Sequence, residues 1–166
     1  MVNCLALCVA LFTQSFTKVI DIKNYNDTEY TLVGNGWTLV STTSPWMENG
    51  DYVYLSSSQK ASHSITIHPQ FVEGGTVSIW IKYPVVSGTT SVAYTFVDIF
   101  GVAQTASINQ SAGGESWTKV GVFFVSAFNQ EVSVTLNAAT AIATTGIAID
   151  SIKFETDGDF ITTTIT

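Results

Sequence analysis

Hydrophobic and polar residues alternate with a period of two along most of this chain. Val77, Ile79, Ile81 and Tyr83 interleave with Ser78, Trp80 and Lys82, and Val132, Val134 and Leu136 interleave with Ser133 and Thr135. Alternation sends successive side chains to opposite faces of a strand, so one face is buried and the other meets solvent or a partner. The pattern predicts strands at 19–22, 37–42, 52–56, 63–68, 76–83, 91–99, 103–109, 118–124, 131–137 and 147–154. Asn35-Gly36, Asn49-Gly50-Asp51, Gly74-Gly75, Ser87-Gly88 and Gly113-Gly114 supply the turns between them. Pro69 and Pro84 end strands, because proline has no N–H to give to a ladder. No window carries the period of an amphipathic helix, and there is no internal repeat or linker. Short alternating strands separated by turn residues predict an all-β fold, a two-sheet antiparallel β-sandwich of jelly-roll type.

The length of 166 residues suits one domain with one core. The pattern divides it into an apolar N-terminal segment (1–18), the sandwich (19–156) and a Thr-rich, β-prone tail (157–166). Residues 1–12 are nearly all apolar and too short to span a bilayer. They fit either a strand donated to a neighbouring copy or the core of a secretory signal peptide. No Lys or Arg precedes the apolar run, and no small-x-small cleavage site follows it. As an assembly strand the segment would make contact through Leu5, Leu7, Val9, Leu11, Phe12 and Phe16. Cys4 and Cys8 are the only cysteines. In an extended segment their Cα atoms are too far apart for a disulfide, so they are expected as small apolar residues. The tail is expected as an edge strand or a second assembly element.

Composition changes this picture in one respect. Hydrophobic residues make up an ordinary 46%, but charged residues only 11%, less than half the usual share of roughly 25%. Mean hydropathy is +0.30. Either Ser, Thr, Asn and Gln coat the surface, or part of the surface is covered. The net charge of −7, with six lysines and no arginine, argues against nucleic acid and against anionic lipid. Without arginine there is no bidentate grip on a carboxylate or phosphate.

Several segments occur in a familiar order: 77–84 (VSIWIKYP), 93–97 (AYTFV), 108–117 (INQSAGGESW), 120–124 (VGVFF), 134–136 (VTL) and 147–154 (IAIDSIKF). Gly36-Trp37-Thr38 and Tyr52-Val53-Tyr54 fit the same layout. The chain resembles the golvesin C-terminal-like domain, which also occurs beside carbohydrate-active regions of bacterial secreted enzymes such as xanthan lyases. The resemblance covers residues 19–155, and its most specific parts are the Gly-Gly-x-x-Trp step and the Ile-Asp-Ser-Ile-Lys-Phe ending. It implies an extracellular β-sandwich with a supporting, non-catalytic role and brings no catalytic residues with it. It also implies that Trp37 and Trp117 are core residues. With no enzyme or repeat domain attached in this sequence, the domain is expected either to bind alone or to assemble.

The residues themselves offer little chemistry. His63 and His68 are five apart on one predicted strand and point to opposite faces, which disfavours a shared metal. There is no G-x-S-x-G elbow and no phosphate-cradling loop. No enzyme activity and no cofactor are expected. Glu155, Asp157 and Asp159 are candidate calcium ligands around Gly158, or simply a solvated acidic turn. Asp150, inside a predicted strand, is expected to accept hydrogen bonds. Carbohydrate platforms need exposed rings flanked by polar groups. Trp46, in the loop 44–50, is the candidate exposed ring, with Tyr52 and Tyr54 following on one strand face. Trp80 lies on the face opposite Ile79 and Ile81. Asn26 and Asn109 fit the N-glycan acceptor pattern.

Low charge, the apolar segment and the β-prone tail together predict a non-catalytic, extracellular or cell-surface structural protein. Its partners would be copies of itself, assembled into a filament or surface layer through the N-terminal segment. The alternative is a secreted carbohydrate-binding or adhesion module that binds polysaccharide. Neither reading involves nucleic acid or membrane insertion.

Overall fold

The computed structural model describes residues 20–24, 30–69, 75–97, 101–125 and 133–156. The described strands are β1 (Ile20–Asn24), β2 (Tyr30–Val33), β3 (Thr38–Ser41), β4 (Asp51–Ser56), β5 (Ser64–Ile67), β6 (Gly75–Lys82) and β7 (Thr89–Val97). They continue with β8 (Ala103–Ile108), β9 (Thr118–Val125), β10 (Ser133–Asn137), β11 (Ile142–Ala143), β12 (Gly146–Ile149) and β13 (Ser151–Thr156). Short 3₁₀ turns occur at Glu48–Gly50, Ser57–Gln59 and Ala138–Thr140, and the described residues contain no α-helix.

All pairings are antiparallel. One sheet has four strands in the order β1-β13-β6-β9, and a second has three in the order β12-β4-β3. The third has six strands, β11-β7-β10-β5-β2, with β8 also pairing β7. Alternation puts Val77, Ile79 and Ile81 of β6, Val92, Tyr94 and Phe96 of β7, and Val134 and Leu136 of β10 into one core. Val53 and Leu55 of β4, Ile147 and Ile149 of β12, and Ile152 and Phe154 of β13 join the same cluster. A single core therefore takes side chains from all three sheets, as sandwich layers packed face to face require.

The period-two pattern predicts two sheets, and the third arises at Asp150. The predicted strand 147–154 is two strands, β12 and β13, separated by this residue. β12 pairs with β4, whereas β13 pairs with β6 and β1. The Asp150 N–H donates to Lys82 O at 2.9 Å, at the point where the chain changes partners. β2 and β11 are absent from the predicted set. β2 is four residues long, with Gly34, Asn35 and Gly36 close behind it, and β11 has two residues. The segments 1–18 and 157–166 lie outside the described residues.

Candidate functional site

The loop between β3 and β4 is held from within and from across the molecule. Thr42 N–H donates to Gly50 O at 2.8 Å, closing the loop at its base. Ser44 N–H donates to Thr42 Oγ1 at 3.1 Å, and Met47 N–H to Ser44 O at 3.3 Å. Met47 is buried, so the loop has an apolar anchor. The 3₁₀ turn starting at Glu48 has no side-chain cap of its own. Asp150 Oδ2 takes that role, accepting from Glu48 N–H at 2.9 Å across the fold. A carboxylate at a free N–H of a helical turn is the usual way to satisfy it. Ser151 Oγ donates to Asp150 Oδ1 at 2.9 Å. Burial raises the Asp150 carboxyl from 3.8 to about 6, and these hydrogen bonds with the nearby Lys82 charge oppose that rise. Lys82 Nζ completes the clamp at 3.0 Å from Glu48 Oε1.

The clamped loop presents Trp46 outward. Its indole is 56% exposed, the most open of the four tryptophans. Trp46 N–H donates to Ser44 Oγ at 3.4 Å, which fixes its backbone. Tyr52 and Tyr54 follow on one face of β4 and are half-buried. Tyr54 OH donates to Thr145 O at 2.9 Å and lies across Gly146, so its phenol is committed to packing β4 on β12.

A second aromatic group adjoins the clamp. Lys82 Nζ lies 5.6 Å from the centre of the Trp117 ring, and Lys153 Nζ lies 5.1 Å from the same ring. Lys153 Nζ is also 4.7 Å from the Trp80 ring, and Lys119 Nζ is 5.5 Å from it. These are cation–π distances. Register explains them: Trp80 of β6 is directly opposite Lys153 of β13 and Lys119 of β9. Half of the chain's six lysines therefore rest on two indoles. Trp117 is consequently not a core residue, contrary to the expectation for it; it is half-buried beside the lysines. Trp37 does pack against the core, with Nε1–H donating to Val33 O at 3.0 Å. The lysine–indole group, in which Lys82 is buried, is the feature that sequence reasoning missed. Lys82, Lys153 and Trp80 occupy outward positions of alternating strands, but only the strand register brings them together.

The remaining candidates are placed as follows. Glu155 is buried, with Oε2 at 3.2 Å from Lys153 Nζ. Asp157, Asp159 and Asn26 lie outside the described residues, as do Leu5, Leu7, Val9, Leu11, Phe12 and Phe16. Among the described residues, no three His, Cys, Asp or Glu side chains come together as a metal site would need. Asn109 is exposed, and its Oδ1 accepts from Ser111 N–H at 2.9 Å. His63 and His68 flank β5; His63 Nε2 accepts from Gly36 N–H at 3.1 Å, and Nδ1 lies 2.9 Å from Ala61 O. No helix among the described residues is long and apolar enough to cross a membrane.

Antiparallel sheets around one core, with aromatic residues on loops and outer faces, define a class of jelly-roll sandwich domains. The CBM35 from Cellvibrio japonicus Abf62 has this fold, with a TM-score of 0.60 at 15% identity over 88% of this chain and 99% of that one. So does the family 35 carbohydrate binding module from Clostridium thermocellum, with a TM-score of 0.54 at 12% identity over 82% and 97%. Within this class, residues 20–156 match the Golvesin C-terminal domain, and the chain belongs to that family. Paenibacillus xanthan lyase contains a similar fold, with a TM-score of 0.71 at 20% identity over 81% of this chain. The chain spans 13% of that enzyme's length. No curated protein matches the sequence.

Proposed function

We propose that this chain is a non-catalytic carbohydrate-binding module that works outside the cell, with Trp46 as its principal sugar contact. The observation that carries the reading is an exposed indole on a loop clamped by Asp150, Lys82 and buried Met47. Sugar rings stack on aromatic faces, and a loop whose backbone is already held loses less freedom on binding. Glu48 joins this loop to the Lys82–Trp117–Lys153–Trp80–Lys119 group, which ties the platform to the four-stranded sheet. The fold shared with family 35 modules supports the same reading, as does the family setting beside polysaccharide-acting enzymes.

Depletion from solution by insoluble polysaccharides tests the proposal. Wild type is expected to be retained by at least one of a panel of xanthan, β-glucan, mannan and galactan matrices. Trp46→Ala is expected to lose at least tenfold in affinity with an unchanged unfolding midpoint, and Trp46→Phe to keep most of it. Equal retention of Trp46→Ala would remove Trp46 from the site.

Assembly into a filament or surface layer through Leu5, Leu7, Val9, Leu11, Phe12 and Phe16 is a separate proposal resting on the apolar segment and the 11% charge. Deleting residues 1–18 would abolish polymers and leave a folded domain; polymers that survive the deletion would rule it out.

A further inference from the structure

The outer face of the six-stranded sheet takes no part in the sugar site, and its composition is unusual. Thr105, Thr95, Thr135, Thr66 and Thr31 stand in register across β8, β7, β10, β5 and β2. All five alternate with inward residues; Thr31 and Thr105 are exposed and the other three half-buried. Neighbouring hydroxyls meet, Thr66 with Thr135 at 3.3 Å and Thr95 with Thr105 at 3.1 Å. Ser64, Asn137 and Ser107 point outward beside this row on one side, and Ser133, Val97 and Ala103 on the other. No Asp, Glu, Lys, Arg or His occurs in any of the six strands. The other two sheets carry charge on Asp51, Lys82, Lys119, Lys153 and Glu155.

This chemistry selects among partners. A polyanion needs cations, and the described strands of this face have none. A stacked glycan needs an exposed ring, and the aromatic residues of these strands, Tyr30, Tyr94 and Phe96, are buried in the core. A hydroxyl both donates and accepts, so a threonine row is complementary to itself. β-branching fixes these side chains before contact, which lowers the entropy lost on docking. Two copies carrying −7 each repel one another, and strands without charged residues put no like charges in direct contact.

We propose that two copies of this chain associate face to face, about a two-fold axis, through the threonine-bearing side of the six-stranded sheet. Such a contact is isologous, with each row meeting its own copy. Five strands about 4.8 Å apart and about five residues long bury roughly 400 Å² per copy, or about 800 Å² for the pair. This is well below the roughly 1,600 Å² of a stable complex, so the dimer is weak and forms at high concentration.

Sedimentation equilibrium of the full chain from micromolar to millimolar concentration tests this. The apparent mass is expected to rise toward twice the monomer at the upper end. Thr95→Lys/Thr135→Lys is expected to weaken association at least tenfold with an unchanged circular dichroism spectrum, although it lowers the net negative charge. Should that variant not fold, the wild type is followed by amide chemical shifts over the same range. Shifts confined to β2, β5, β7, β8 and β10 are expected. A monomer at millimolar concentration, association undiminished in the double variant, or shifts centred on the N-terminal segment or the Trp46 loop would each overturn the proposal.

Discussion

Asp150 is buried beside the core with hydrogen bonds to both carboxyl oxygens. Its carboxyl titrates near 6 in the fold and near 3.8 in a solvated chain. Between those values the folded state holds more protons than the unfolded state, so stability falls as pH rises from 4 to 6. The effect amounts to at most about 3 kcal/mol. Denaturant unfolding at pH 4 and pH 7 should show wild type losing stability across this interval relative to Asp150→Asn, which lacks the titrating group. Gln110 is fully buried and completes the free edge of β12: its Nε2 donates to Ala148 O and its Oε1 accepts from Ala148 N–H at 3.1 Å. Gln110→Ala strands both backbone groups and is expected to cost about 2–3 kcal/mol in the same measurement. Tyr30 OH is buried with no hydrogen-bond partner among the described residues, and burial raises its pKa well above the ordinary value. Tyr30→Phe should therefore be neutral or stabilising by about 1 kcal/mol. At this scale the sequence shows that Asp150 is a polar residue in an apolar strand and suits it to accept hydrogen bonds. It does not show that the donor is Glu48, 102 positions away. Gln110 carries no local signal at all.

Elements were far more legible than partners. Strands β4 to β10 follow the alternation to within about two residues at each end, the usual uncertainty of strand boundaries. β11 escaped because two residues cannot show a period of two, and β2, as long as β3 and β5, because the adjacent Leu32 and Val33 break its alternation just before Gly34. The break at Asp150 leaves a local trace, since the buried positions run Ile147, Ile149 and then Ile152, Phe154, a slip of one residue in the alternation; that β12 and β13 pair with different strands is a long-range event with no local signal. The close approach of β4 to β12 is equally non-local. At Gly146 a Cβ would meet the Tyr54 hydroxyl and Leu55 O. Gly146→Ala must push two paired strands apart and is expected to cost about 2–3 kcal/mol by thermal unfolding. The Trp46 loop, 44–50, was predicted as a loop, with Asn49-Gly50-Asp51 as its turn. Its rigidity was not, because the clamp comes from β6 and from the β12–β13 junction. Hydrogen exchange should find the Glu48 amide protected in wild type and much faster in Asp150→Ala.

At the scale of the whole molecule, 11% charge is spread unevenly. Among the described strands it is absent from one sheet, while the other two carry it together with the lysine-bearing indoles. The low total was legible, and it pointed either to a coat of Ser, Thr, Asn and Gln or to a partly covered surface. Which face was bare depended on register and could not be read from spacing. The division also gives the two proposed activities separate surfaces, so a weak dimer leaves the Trp46 loop open to sugar. The central claim is that the Trp46 indole binds carbohydrate, and its own N–H resonance reports on it directly. Soluble xanthan, mannan and galactan oligosaccharides titrated into ¹⁵N-labelled full chain should shift the Trp46 indole signal in a saturable manner with at least one of them. The Trp37 signal, packed against the core, should stay in place. A Trp46 signal that stays fixed through every titration, while binding is detected elsewhere or not at all, would contradict the claim.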